Sequence, residues 1–158
     1  MRPERLLLLL LAPLAAHAAP PAFDANGVRL GDAERVVKQH FPSAHCQPLQ
    51  WESRAADRRC DDSRSIIAGH EARITVYLRK DAVEALDLRF DSAKAPSFAK
   101  LLTERFGGPP VEKNNEKTHT LAWRRNGERA LLTTESGQRR ATLLVWRGSF
   151  YEEIYKVR

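Results

Sequence analysis

Two hydrophobic rhythms alternate along the chain. Residues 31–41, GDAERVVKQHF, set Ala33, Val36, Val37 and Phe41 at the spacing of an amphipathic helix, with charges on the other face. Asp32 is placed to cap this helix and Pro42 to stop it. EARITVYLR then switches to period two: Ile74, Val76 and Leu78 alternate with Arg73, Thr75, Tyr77 and Arg79, which predicts a strand. AVEALDLRF follows a Lys80-Asp81 turn and predicts a second strand through Leu86, Leu88 and Phe90. The helical rhythm returns over residues 97–106, SFAKLLTERF, where Phe98, Leu101, Leu102 and Phe106 form the stripe. Pro96 suits the first turn, Gly107 the left-handed cap, and Pro109-Pro110 bars continuation. An antiparallel meander comes next. HTLAWRR and ERALLTTE flank Asn126-Gly127, a strong hairpin signal; RRATLLVWR follows Ser136-Gly137, and FYEEIYKV closes the chain after Gly148. Residues 43–64 show neither rhythm and read as an irregular loop with Trp51 as a local lid.

The expected fold class is α+β, two helices packed on one face of antiparallel sheet or sheets. Ala33, Val36, Val37 and Phe41 map onto Phe98, Leu101, Leu102 and Phe106 at one offset of 65. That match adds the expectation of a tandem helix-plus-strands repeat, with halves at 30–92 and 93–158 forming one compact domain or two pseudo-repeats.

LGDAERVVKQHFP and FAKLLTERFGGPP…AW resemble the helix, Gly/Pro turn and tryptophan-bearing strand of small exported α+β domains. Such domains occur in the BamE/SmpA-like envelope-assembly proteins and in the beta-lactamase inhibitor protein, which is a tandem repeat of the plan. The resemblance covers roughly residues 26–158. It implies a non-enzymatic module that binds another protein with its sheet face or loops, and it assigns no functional residue. The lipid-anchoring cysteine of the envelope lipoproteins is missing here, so no lipid anchor is expected.

The first residues, MRPERLLLLLLAPLAAHA, combine Arg2 and Arg5, an apolar run from Leu6 to Leu11, and Ala16-His17-Ala18. That is the layout of a secretory signal peptide over residues 1–18, too short for a membrane span. Cleavage after Ala18 would leave residues 19–29 as a flexible N-terminus and place the protein in the periplasm or outside the cell. Removing Arg2, Glu4 and Arg5 in this way leaves 24 basic and 19 acidic residues, a net charge of +5. Arg outnumbers Lys 19 to 7, which suits bidentate contacts to carboxylate or phosphate.

The compartment bears on Cys46 and Cys60, the only cysteines. An oxidising environment and an even count favour a disulfide. A redox pair would call for Cys-x-x-Cys. A metal site would need His40, His45 or His70 as co-ligands, at spacings that suit one poorly. Asp57, Asp61 and Asp62 lack the alternate-residue oxygen spacing of a calcium loop.

Catalytic signatures for hydrolases, zinc proteases and nucleotide-binding enzymes do not occur in the chain. His70 and His119 lack an evident carboxylate or nucleophile partner, so no catalytic residue and no cofactor is assigned. Counting two-residue turns puts Trp123 with Leu121, Ala130, Leu132, Ala141, Leu143 and Val145 on a buried face. The opposite face then carries Arg124, Arg129, Arg140 and Trp146, a basic-aromatic composition enriched at protein interfaces. These four are the expected binding residues, for an unidentified envelope protein. The alternatives are an envelope polyanion or nucleic acid bound by the arginines, and a small hydrolase whose residues assemble from distant positions.

Overall fold

The computed structural model describes residues 16, 18, 19 and 21–156. Residues 1–15 and 17 of the expected signal segment lie outside the described residues. Three tight turns shape the sheet: Ala68-Gly69 (φ 51° and 80°), Lys80-Asp81 (48° and 59°) and Asn126-Gly127 (49° and 78°) all bend through left-handed backbone. Turns of this hand match the right-handed twist of the strands they join.

The elements are α1 (Glu34–His40), β1 (His45–Pro48), β2 (Arg58–Ile67), β3 (His70–Arg79), β4 (Ala82–Asp91), α2 (Ala95–Phe106), β5 (Val111–Asn114), β6 (Thr118–Arg125), β7 (Glu128–Glu135), β8 (Arg140–Arg147) and α3 (Phe150–Glu153). All eight strands form one antiparallel sheet in the order β1-β2-β3-β4-β8-β7-β6-β5. The join between early and late strands is β4 against β8, where Leu86 faces Val145 and Leu88 faces Leu143.

This architecture corrects the expected fold class. The sheet dominates, and the helices are short: α1 has 7 residues and buries only Val37, α2 has 12 and α3 has 4. Two helices layered on a sheet do not describe it. The correction has two physical sources. Residues 43–64 carry β1, a four-residue edge strand, and most of β2, whose outer face is charged (Arg59, Asp61), and together these leave too few apolar residues for a period-two signal. The C-terminal FYEEIYKV carries a third short helix, α3; Phe150 and Ile154, four apart, are both buried on the opposite side of the sheet from α2.

The larger core unites both parts of the chain. Ile74, Val76 and Leu78 of β3, Leu86 and Leu88 of β4, and Leu143 and Val145 of β8 pack with Val37 of α1 and Phe98 and Leu102 of α2. Trp123 joins them at 4% exposure and donates its indole N–H to Thr103 Oγ1 at 3.3 Å. The segment expected to be flexible at 19–29 is also corrected. Phe23, Ala25 and Val28 are at most 1% exposed, and Ala25 and Val28 exchange backbone hydrogen bonds. Gly27 in that turn has φ 90°, and a Cβ there would stand 2.8 Å from His40 Cε1, so the close approach requires glycine. Among the described residues no helix is long and apolar enough to cross a membrane.

Candidate functional site

The disulfide forms. Cys46 of β1 lies directly opposite Cys60 of β2, with an S–S distance of 2.01 Å. It ties the edge strand to the sheet and closes the loop carrying Trp51. That loop folds over the sheet face opposite α2: Trp51 Nε1 donates to Ile154 O at 2.9 Å and Ser53 Oγ to Glu153 O at 3.2 Å. Ala55, Ala56, Tyr77, Ala85, Trp146, Phe150 and Ile154 form a second, smaller core beneath it.

The four expected binding residues do not assemble. Arg124 does face Arg129 across Asn126-Gly127, and Arg129 faces Trp146. However, the next connection spans four residues, Ser136 to Arg139, so Thr133 pairs with Thr142 and Arg140 faces Asp91 of β4. Arg140 and Trp146 lie six residues apart on β8 itself, roughly 20 Å at strand rise. Trp146 is only 6% exposed, stacked beside Tyr151 with ring centroids 5.3 Å apart. Arg129 is held by Glu152 at 3.1 Å. Trp146 is a core residue of the second cluster and not an exposed anchor.

A different arginine cluster occupies the same face. Arg73 of β3 stands directly opposite Arg89 of β4, and Arg140 is the diagonal neighbour of Arg89 on β8. With Arg64 and Arg139 they line an open groove of about 720 Å³. Among the described residues, no ion pair engages any of these five arginines, although Arg58, Arg59, Arg105, Arg129 and Arg147 each have one. Like charges opposed across a ladder repel by up to ~1 kcal/mol. Of the acids in the groove, Asp91 accepts from Ala93 N at 2.9 Å and caps the 3-10 turn at Ser92–Lys94. Turn counting could not find the Arg73–Arg89 pair, because a bulge at Tyr77/Leu78 shifts the β3–β4 register by one. The available signal was parity: Arg73 and Arg89 each sit on the polar side of their own alternation.

Between groove and second core runs the row Asp61, Thr75, Asp87, Leu144, Leu131. Arg59 grips Asp61 bidentately at 2.7 and 2.6 Å, and Thr75 Oγ1 donates to Asp61 at 2.7 Å. Asp87 has no such partner among the described hydrogen bonds. Burial pushes its carboxyl above the usual range, against the pull of Arg89 and Arg59. Burial, reinforced by Asp87, pushes the Tyr77 hydroxyl up to about 12. A cleft of about 460 Å³ opens here between the sheet and the C-terminal segment, walled by Leu131, Leu144, Ile154 and Tyr155.

The expected chemical alternatives can be placed as well. His70 packs against Phe98, centroids 5.7 Å apart. His119 Nε2 meets Glu112 Oε1 at 2.7 Å, with His119 half-buried on β6 and Glu112 exposed on β5. The only three-ligand group among the described residues is Glu34 with Cys46 and Cys60, whose sulfurs are already spent on each other. No protein-family model, curated protein or solved structure matches this chain, so the likeness to small exported α+β domains rests on its motifs alone.

Proposed function

We propose that the chain is an exported, non-enzymatic protein-binding module that docks an acidic segment of an envelope protein in the arginine groove. The observation that carries this reading is the directly opposed Arg73–Arg89 pair, backed by Arg140 and left without carboxylate partners in an open groove. A fold does not need that repulsion, whereas an acidic partner relieves it. The disulfide suits an oxidising compartment outside the cytoplasm. Glu71 and Asp91 share the groove, and Asp87 stands next to it. These carboxylates would repel the uniform charge of a polyanion but suit a protein segment of mixed charge.

The test uses the processed protein as bait on the envelope fraction, beside an Arg73→Ser/Arg89→Ser variant. The variant should melt within about 1 kcal/mol of wild type, as surface changes usually do. It should also lose the captured partner, and acidic peptide should compete that partner away from wild type. A variant that captures the same partner equally well refutes the groove. Retention on heparin that falls steeply with salt and needs Arg73 and Arg89 would replace the protein partner by a polyanion.

A further inference from the structure

Asp87 and Arg89 are neighbours on one face of β4, two residues apart, and opposite in charge. The same spacing on β2 closes on itself, since Arg59 and Asp61 form a bidentate pair. Asp87 and Arg89 form no ion pair with each other or with any other described residue. Both line the 460 Å³ cleft, whose walls mix the apolar Leu131, Leu144, Phe150 and Ile154 with Thr133 and tyrosines. Thr142, opposite Arg89, and the Tyr77 hydroxyl supply further polar atoms there. A cleft that joins apolar side chains to a few convergent polar groups is the usual form of a small-ligand site.

We propose that this cleft binds a small apolar zwitterion of the α-amino acid class, with its ammonium on Asp87, its carboxylate on Arg89 and its side chain against Leu131, Leu144 and Ile154. The order of charges along β4 selects a ligand that carries both signs close together. A plain organic cation would meet repulsion from Arg59 and Arg89. A plain anion would leave the half-buried Asp87 without a donor, which is the unfavourable condition the site already has. The apolar walls exclude glycine-sized ligands as good binders, because burial of a side chain contributes most of the remaining affinity.

The experiment titrates the folded chain with L-leucine and follows amide shifts by NMR, with N-acetyl-leucine, leucinamide and glycine as comparators. Leucine should bind saturably. Each comparator should bind about tenfold more weakly or worse, the loss expected for one charge-assisted hydrogen bond or one apolar side chain. Asp87→Asn should remain folded and weaken leucine by a similar factor, whereas Arg73→Ser should leave it unchanged. Equal affinity for leucine and N-acetyl-leucine, no saturation at millimolar ligand, or full binding by Asp87→Asn would each overturn the assignment. Arg89 lines both, but Arg73 lies outside the cleft and Asp87 outside the groove, so Arg73→Ser and Asp87→Asn test the docking groove and this site separately.

Discussion

Loss of the Cys46–Cys60 bond offers a measurement whose size can be worked out in advance. The bond joins directly paired residues on β1 and β2, 14 apart in sequence. Closing a loop of about 15 residues removes unfolded-chain entropy worth ~3 kcal/mol in the chain-entropy model. A domain of this size shifts its midpoint by about 2–4 °C per kcal/mol, so the expected fall is roughly 6–12 °C. Cys60 is 1% exposed, so Cys46→Ala/Cys60→Ala is a better probe than serine, which would bury a hydroxyl. The assay is thermal melting of the double variant beside wild type with and without reductant. Hydrogen exchange adds a local readout. β1 is a four-residue edge strand paired only with β2, so its amides should lose protection before those of β3 and β4. A midpoint within 2 °C of wild type in both the variant and the reduced protein would show that the bridge does not constrain the unfolded chain as argued.

Trp123→Ala and Trp146→Ala should each destabilise by about 3–5 kcal/mol in chemical denaturation, because both rings are buried, at 4% and 6% exposure. A small effect at Trp146 would mean that α3 does not cover it. Glu34 accepts from Arg58 at 2.6 and 3.2 Å and from Lys38 at 2.8 Å; mainly the Arg58 bond, then Lys38, draws its pKa from 4.5 down to about 2. A depressed carboxylate stabilises above its unfolded pKa and loses that effect as pH falls. Glu34→Gln should therefore cost about 1–2 kcal/mol near neutrality, after allowance for solvent screening, and the gap should close between pH 4.5 and 2. A gap that stays constant over that range would refute the ion pair's role.

The legible parts of the fold were those where one local signal acted alone. Asn126-Gly127 fixed the β6–β7 register, and the alternation through Trp123, Ala130 and Leu132 identified the buried face. The stripe of Phe98, Leu102 and Phe106, with Gly107 at φ 76°, located α2. Where tertiary context acted, the sequence misled. β2 is read as a loop because its exposed face is charged and its inward residues are short or interrupted by a bulge between Asp62 and Ser65. The N-terminal segment looks like a tail, yet Phe23 and Val28 are fixed by contacts with distant strands that no local pattern announces.

The candidate site was less legible for a definite reason. A side chain's face follows from parity, which survives an error of two residues in a turn, so Arg124, Arg129 and Arg140 were rightly put on one face. Its neighbours depend on absolute register, which does not survive that error. Two extra residues after Ser136 moved Arg140 about 7 Å along β7, away from Thr133, which a two-residue turn would have set opposite it; on its other side Arg140 faces Asp91. The bulge at Tyr77/Leu78 then set Arg73 opposite Arg89 and left Asp87 beside it. Both proposed sites are products of these irregularities. Bulges are common next to functional positions because they re-aim side chains that a regular ladder would pair off. Had β3 and β4 kept the register of their turn, Arg73 would have faced Leu88, and the unpaired charges that define the groove would not have met.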